Sequence, residues 1–218
     1  ELRAKDDRLT NIVVMGMGEP LHNYEATLAA CDTLNDPDGF NFGARRITIS
    51  TVGLAPAIRR FADERRQVNL AISLHGATDE LRASLLPINK RYPLDEVFAA
   101  ARYYTTTTHR RITFEWALIA GVNDTPEQAE ALAKRAAGLL CHVNVIPLNP
   151  TTGYEGQAST RERVARFSAA LEAHGLACTV RVRRGIDVAA GCGQHDRPGP
   201  LRQRSVRQFP RAAGRQPS

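Results

Sequence analysis

Polar and turn-forming residues recur along this sequence, each group following a short apolar run: Gly18-Glu19-Pro20, Ser50-Thr51, Ser73-Leu74-His75-Gly76, Gly121-Val122-Asn123-Asp124 and Pro147-Leu148-Asn149-Pro150. As a set they suit a ligand that carries an ammonium, a carboxylate and a ribose. An ammonium brings three donors and needs acceptors such as backbone carbonyls or Glu19, whereas ribose hydroxyls and a carboxylate suit Ser50, Ser73 and Asn149. Taken singly, such residues more often cap helices and make turns.

The elements that must hold these groups are legible in the hydrophobic pattern. Apolar runs rich in β-branched residues alternate with segments of helical periodicity, the signature of a parallel sheet with crossover helices. Strands are expected at 11–17, 46–51, 68–74, 112–119 and 142–148, helices at 24–34, 55–64, 94–106, 126–139 and 160–174, and a sixth strand at 178–183. Asn123, Asp124 and Thr125 before Pro126 make a helix start, and Gly175 makes a helix stop. The run Thr105 to Thr108 is poor helix material and is expected to end its helix early. In a parallel α/β barrel the working groups sit at the carboxyl ends of the strands, so the polar groups above fall on one rim.

Composition bounds the rest. A chain of 218 residues with 43% apolar content suits one sizeable domain. No apolar run approaches the roughly 18 to 20 residues of a membrane span, and residues 1–10 are charged rather than signal-like, so a cytoplasmic protein without membrane association is expected. The chain begins with Glu1, which suggests that the natural start lies upstream. The net charge of +6 comes from the end of the chain: six arginines and no acid lie in residues 197–218, and the remainder is formally neutral. From Asp196 onward the composition turns to Pro, Arg, Gln, Ser and Gly without periodicity. A barrel domain over 1–195 and a disordered Arg/Pro-rich tail over 196–218 are therefore expected.

Cys31, Cys141, Cys178 and Cys192 include no CxxC pair, which argues against a disulfide framework or a structural zinc. The first three read as small buried apolar residues. His22, His109, His142, His174 and His195 have no ligand spacing, so no metal ligand is assigned. The pairs Arg45-Arg46, Arg65-Arg66, Lys90-Arg91 and Arg110-Arg111 read mainly as solvated surface, with some available to phosphates.

Longer stretches carry a resemblance. Met15 to Tyr24 (MGMGEPLHNY), Ile49 to Gly53 (ISTVG), Leu70 to Gly76 (LAISLHG), Gly121 to Asp124 (GVND), Asn144 to Pro150 (NVIPLNP) and Gly185 to Gln194 (GIDVAAGCGQ) resemble, in order, the motifs of the RlmN/Cfr family of radical-SAM RNA methyltransferases, nearest to its RlmN branch. The likeness covers about residues 8–195 and is specific as a set, although Gly-Glu-Pro by itself would be weak. It implies an α/β fold, a partial (β/α) barrel of the radical-SAM type missing its first strand and helix, with S-adenosyl-L-methionine bound against a 4Fe-4S cluster. Carried over by position, Gly18 and Glu19 would hold the methionine amino group. Ser50, Ser73, Leu74, His75 and Asn149 would line the rest of the pocket, and Cys192 would be the methyl-carrying cysteine, an S-methylcysteine intermediate.

The implied chemistry explains the cysteine. The adenine C2 carbon is electrophilic, which rules out direct polar attack on a sulfonium methyl. In the family a first S-adenosylmethionine methylates the cysteine thiolate. A second is cleaved to a 5′-deoxyadenosyl radical that takes a hydrogen from the S-methyl group, and the resulting carbon radical adds to the base. A thiolate nucleophile is favoured by nearby positive charge, and Arg181, Arg183 and Arg184 precede Cys192 in sequence.

The family's CxxxCxxC cluster motif would precede the first strand and is not in this sequence. The closest cysteines, Cys178 and Cys192, are fourteen positions apart, so the cluster ligands are expected upstream and the chain alone is expected to be inactive. The implied function is C2 methylation of an adenine in large-subunit ribosomal RNA, and also in tRNA, by a monomer served by an electron donor. Two alternatives stay open: Cfr-like methylation at adenine C8, and a non-catalytic truncated remnant that at most binds RNA. An aldolase with a Schiff-base lysine is set aside, because none of Lys5, Lys90 and Lys134 falls at a strand end.

Overall fold

The computed structural model describes residues 9–15, 18–148 and 156–181. β-branched runs separated by amphipathic segments produce six strands and six helices. In chain order these are β1 (Ile12–Val14), α1 (Tyr24–Asn35), β2 (Ile47–Thr51), α2 (Ala55–Asp63), β3 (Asn69–Ser73), α3 (Asp79–Leu85), α4 (Leu94–Thr108), β4 (Ile112–Leu118), α5 (Pro126–Ala136), β5 (Cys141–Pro147), α6 (Arg161–Ala173) and β6 (Cys178–Val180). Short 3-10 turns cover Ala44–Arg46 and Pro87–Lys90.

All five strand pairings are parallel, in the order β1-β2-β3-β4-β5-β6. The result is an open α/β sheet, part of a barrel, as the alternating pattern implies. Side chains alternate between the two faces of a strand. One set, including Ile47, Ile49, Leu70, Ile72, Phe114, Trp116, Val143 and Val145, is buried in the core with the helices. Aromatic pairs tie the layers: Phe98 and Phe114 have ring centroids 5.2 Å apart, and Trp116 and Phe167 5.4 Å. The other set, Thr48 and Ser50, Asn69 and Ser73, Thr113 and Glu115, His142 and Asn144, leaves the concave face polar.

The fold departs from the sequence expectations in five places. Helix α3 was not foreseen. Thr78 caps it by accepting the Leu81 amide, and Asp79 and Glu80 occupy its acidic first turn. Helix α4 does not stop at the threonine run but continues through Thr108. There the hydroxyls of Thr105 and Thr108 bond back to the carbonyls of Arg102 and Tyr104, and His109 closes the helix in the left-handed region. Helix α5 ends at Ala136, ahead of Gly138 at φ 71°. Strand β1 ends at Val14 and β6 at Val180, short of the expected bounds. Asn149, Cys192 and the tail over 196–218 lie outside the described residues. Among the described residues, no helix is long and apolar enough to cross a membrane.

Candidate functional site at the carboxyl ends of the strands

Parallel strands bring the loops after β1, β2, β3 and β4 to one rim. Gly18 opens the first loop at φ 88°, a left-handed conformation that favours glycine. Glu19 then locks two loops together: one carboxylate oxygen accepts the Leu21 amide at 3.0 Å and the other accepts the Val52 amide at 2.7 Å. The carboxylate is thus committed to the backbone. Any ammonium at Gly18-Glu19 would be met chiefly by main-chain carbonyls.

The loop after β2 is braced from behind. Arg82 of α3 is fully buried and donates to the Val52 carbonyl, to Asn89 Oδ1 at 2.7 Å and to the Tyr92 carbonyl at 3.4 Å. Burial lowers the Arg82 pKa to about 10, so the group is still charged at neutral pH. Asp79 completes this network by accepting the Leu94 amide at 2.8 Å and Asn89 Nδ2 at 2.9 Å. Gly76 lets the third loop approach α3, since a Cβ there would lie 2.8 Å from the Arg82 amide nitrogen.

Ser50 lies on β2 and Ser73 ends β3, both on the concave side, and neither side chain has a hydrogen-bond partner among the described residues. Leu74 follows β3 directly. Its side chain is buried in the core and its amide donates to the Glu115 carbonyl at 3.0 Å, so its own carbonyl is what remains to face a ligand.

His75 adopts a left-handed backbone at φ 57°, and its Nδ1 accepts the Ala117 amide at 2.9 Å. Burial, with a smaller push from the Arg82 charge, lowers its pKa to about 4. The neutral ring accepts at Nδ1, so its proton sits on Nε2, which is left as a donor. Main-chain strain at this position is held by Asn123, whose Nδ2 donates to the His75 carbonyl at 2.8 Å and to the Ala117 carbonyl at 2.7 Å.

The Gly-Val-Asn-Asp group thus acts as scaffold. Asn123 Oδ1 also accepts the Ile119 amide at 2.7 Å. Asp124 accepts the Gly121 amide at 3.0 Å, the Ser159 hydroxyl at 2.7 Å and two Arg163 nitrogens at 2.6 and 2.5 Å. Burial alone would raise the Asp124 carboxyl, but the Arg163 and Ser159 hydrogen bonds outweigh it and hold its pKa below the usual carboxylate range.

One pair went unnoticed in the sequence. Glu115, 3% exposed in the middle of β4, accepts Asn144 Nδ2 of β5 at 3.0 Å, and its second oxygen has no partner. A charged residue at an inward position of an otherwise apolar strand is the signal that marks it. The three described free cysteines, Cys31, Cys141 and Cys178, lie apart. Burial pushes each thiol pKa up, that of Cys141 to about 11, as suits inert residues. Among the described residues no cluster of His, Cys, Asp or Glu is arranged to hold a metal ion.

Known proteins resemble this chain in sequence and fold. Dual-specificity RNA methyltransferase RlmN 1 of Myxococcus xanthus is 53% identical over 212 residues, which cover 97% of this chain and 58% of that protein. Probable dual-specificity RNA methyltransferase RlmN 2 of Opitutus terrae is 55% identical over 188 residues, 86% of this chain and 44% of that one. The chain therefore spans about half the length of the curated relatives it matches. Among solved structures, a radical SAM methyltransferase from Sphaerobacter thermophilus superposes with a TM-score of 0.85 at 54% identity, over 88% of this chain and 56% of the other. A domain of pyruvate-formate lyase-activating enzyme from Bacteroides vulgatus shares the fold alone, with a TM-score of 0.61 at 17% identity, over 80% of this chain and 100% of the other. Residues 1–136 match the Radical SAM superfamily, and with RlmN-type proteins as its relatives the chain belongs to that superfamily.

Proposed function

We propose that this chain supplies the S-adenosylmethionine-binding part of an RNA methyltransferase that methylates an adenine at C2 in large-subunit ribosomal RNA and in tRNA, with Cys192 as the methyl carrier. The observation that carries the reading is the identity of 53–55% to RlmN-type proteins over 86–97% of the chain. Superfamily membership brings S-adenosyl-L-methionine and a 4Fe-4S cluster as cofactors.

The rim fits the first of these. Main-chain carbonyls near the Gly18 turn suit its ammonium, the partnerless hydroxyls of Ser50 and Ser73 suit its ribose and carboxylate, and the His75 Nε2–H offers a donor. Asn149 is proposed to complete the pocket. With the cluster bound, this cofactor supplies a carbon-centred radical. The described residues offer no ligand set for the cluster, so its cysteines are proposed to belong to sequence outside these 218 residues. The chain's own part is to fix the cofactor against the concave face and, through Cys192, to carry the methyl group. A monomer served by a separate electron donor, working in the cytoplasm, completes the proposal.

Two readouts on the protein expressed from its complete gene test this. The peptide containing Cys192 should be heavier by one methyl group, and digested RNA should contain 2-methyladenosine. An unmodified Cys192 in active protein would sink the carrier role, and 8-methyladenosine in place of the 2-methyl product would replace the C2 assignment.

A further inference from the structure

A cavity of about 810 Å³ opens at the amino ends of the strands, at the end of the sheet opposite the candidate site. Thr48, Asn69 and Thr113, near the starts of β2, β3 and β4, form part of its wall, and Arg45, Arg110 and Arg111 enter its lining. No aspartate or glutamate lines it among the described residues.

The arginines here differ from the ion-paired ones elsewhere in the fold. Arg60, Arg66, Arg135, Arg163 and Arg166 each pair with a carboxylate. In the cavity, Arg110 donates instead to Gln67 Oε1 at 3.0 Å, to the Gln67 carbonyl at 2.9 Å and to Asn69 Oδ1 at 2.7 Å, while Arg45 shares Gln67 Oε1 at 3.3 Å. Arg110 Nε is buried with no partner. Neutral acceptors fix the direction of these guanidinium groups without cancelling their charge.

Helix ends do not cancel it either. The carboxyl end of α4 adjoins the cavity at Thr108 and His109, but a helix terminus carries roughly half a charge against three full ones. The last carbonyls of α5 are taken by Arg102, which donates to Arg135 and Ala137. A cluster of uncompensated guanidinium groups, two of them held in place by Gln67 and Asn69, suits an anion with several acceptor oxygens.

We infer that this cavity is a phosphate-binding site. The arginines line a broad, open depression and do not close around one point, which favours a phosphate carried on a larger body. The phosphodiester backbone of RNA is the source we favour. That choice rests on the proposed function, whereas the phosphate chemistry does not.

The test compares the 218-residue chain with the triple variant Arg45→Gln/Arg110→Gln/Arg111→Gln. RNA binding is measured against salt, and the thermal midpoint is measured against added inorganic phosphate. With RNA as the source, the triple variant binds more weakly and its salt slope falls by about 2, at roughly 0.7 per lost single-strand phosphate contact. With a free phosphate as the source, phosphate raises the midpoint of the parent but not of the triple variant, and RNA affinity is unchanged. Arg111→Gln alone serves as a folding-safe arm, because Arg111 is exposed. It should weaken the same readout several-fold, whereas Arg60→Gln, away from the cavity, should not. Triple and Arg111 variants equal to the parent in both assays overturn the site. Methylation is scored separately on the modified base, so failure here leaves the proposed function standing.

Discussion

Glu19 and Val52 meet at 2.7 Å, carboxylate to amide, and this contact joins the loop after β1 to the loop after β2. From the other side, the Val52 carbonyl accepts from buried Arg82. A single peptide segment is thus gripped at both its donor and its acceptor, and the position of the rim beside Ser50 follows from that grip.

Replacing Glu19 with Ala leaves the Leu21 and Val52 amides without their acceptor. The expected cost is about 1–3 kcal/mol for partly buried groups, read as a lower denaturant midpoint. S-adenosylmethionine affinity of the cluster-loaded protein should fall as well. An unchanged midpoint would show that water replaces the carboxylate without loss.

Ser50→Ala and Ser73→Ala should separate binding from folding. Neither hydroxyl has a partner among the described residues, so stability should change by less than about 0.5 kcal/mol. Each lost ligand hydrogen bond should weaken S-adenosylmethionine binding by about 1 kcal/mol, roughly fivefold. Calorimetry on the cluster-loaded protein reads the affinity. Unaltered binding in both variants would remove these serines from the pocket.

Acid should weaken the fold through His75. An unfolded histidine takes up its proton near pH 6.5, but the folded ring refuses it until about 4. Unfolding therefore binds a proton between those values, and stability falls as the pH drops from about 6.5 toward 4, being fully present above that window. Asp124, held below its usual range, adds a loss of the same sign at lower pH. Urea midpoints at pH 7 and 4.5 should differ less in His75→Gln than in the parent, and parallel curves for the two proteins would contradict this.

Asp124→Asn should loosen the junction of α6 with the loop after β4. The fully buried carboxylate loses its paired bonds to Arg163, whose side chain is 41% exposed and can turn to water. That partial exposure limits the expected cost to about 1–3 kcal/mol. Hydrogen exchange should show it as faster opening at the start of α6, and Arg163→Gln should be the harsher change because it strands a buried charge.

Local chemistry accounts for what the sequence disclosed. The position of Gly18, Ser50, Ser73 and His75 along one rim is legible because strands of period two end in turn residues, and parallel strands must end on one side. The clamp was less visible. Asp124 was seen as part of a helix start, but its partner Arg163 lies 39 positions away, and nothing local in either segment couples them. Arg82 reads as one more surface arginine until α3 is placed, and α3 itself was signalled only by Thr78, Asp79 and Glu80. The threonine run ending α4 misled because propensity weighs residues one at a time, whereas Tyr104 and Thr105 are buried against the rest of the fold.

The strand order, which climbs from β1 to β6 without a skip, bears on assembly. Each ladder is made between successive strands of the chain, so every pairing closes only a modest loop, and no late event must thread a distant segment between two strands already joined. The sheet can grow outward from any adjacent pair. Removing an outer strand deletes one ladder and leaves the others with their partners, so a polypeptide that supplies only part of a barrel retains a self-consistent body.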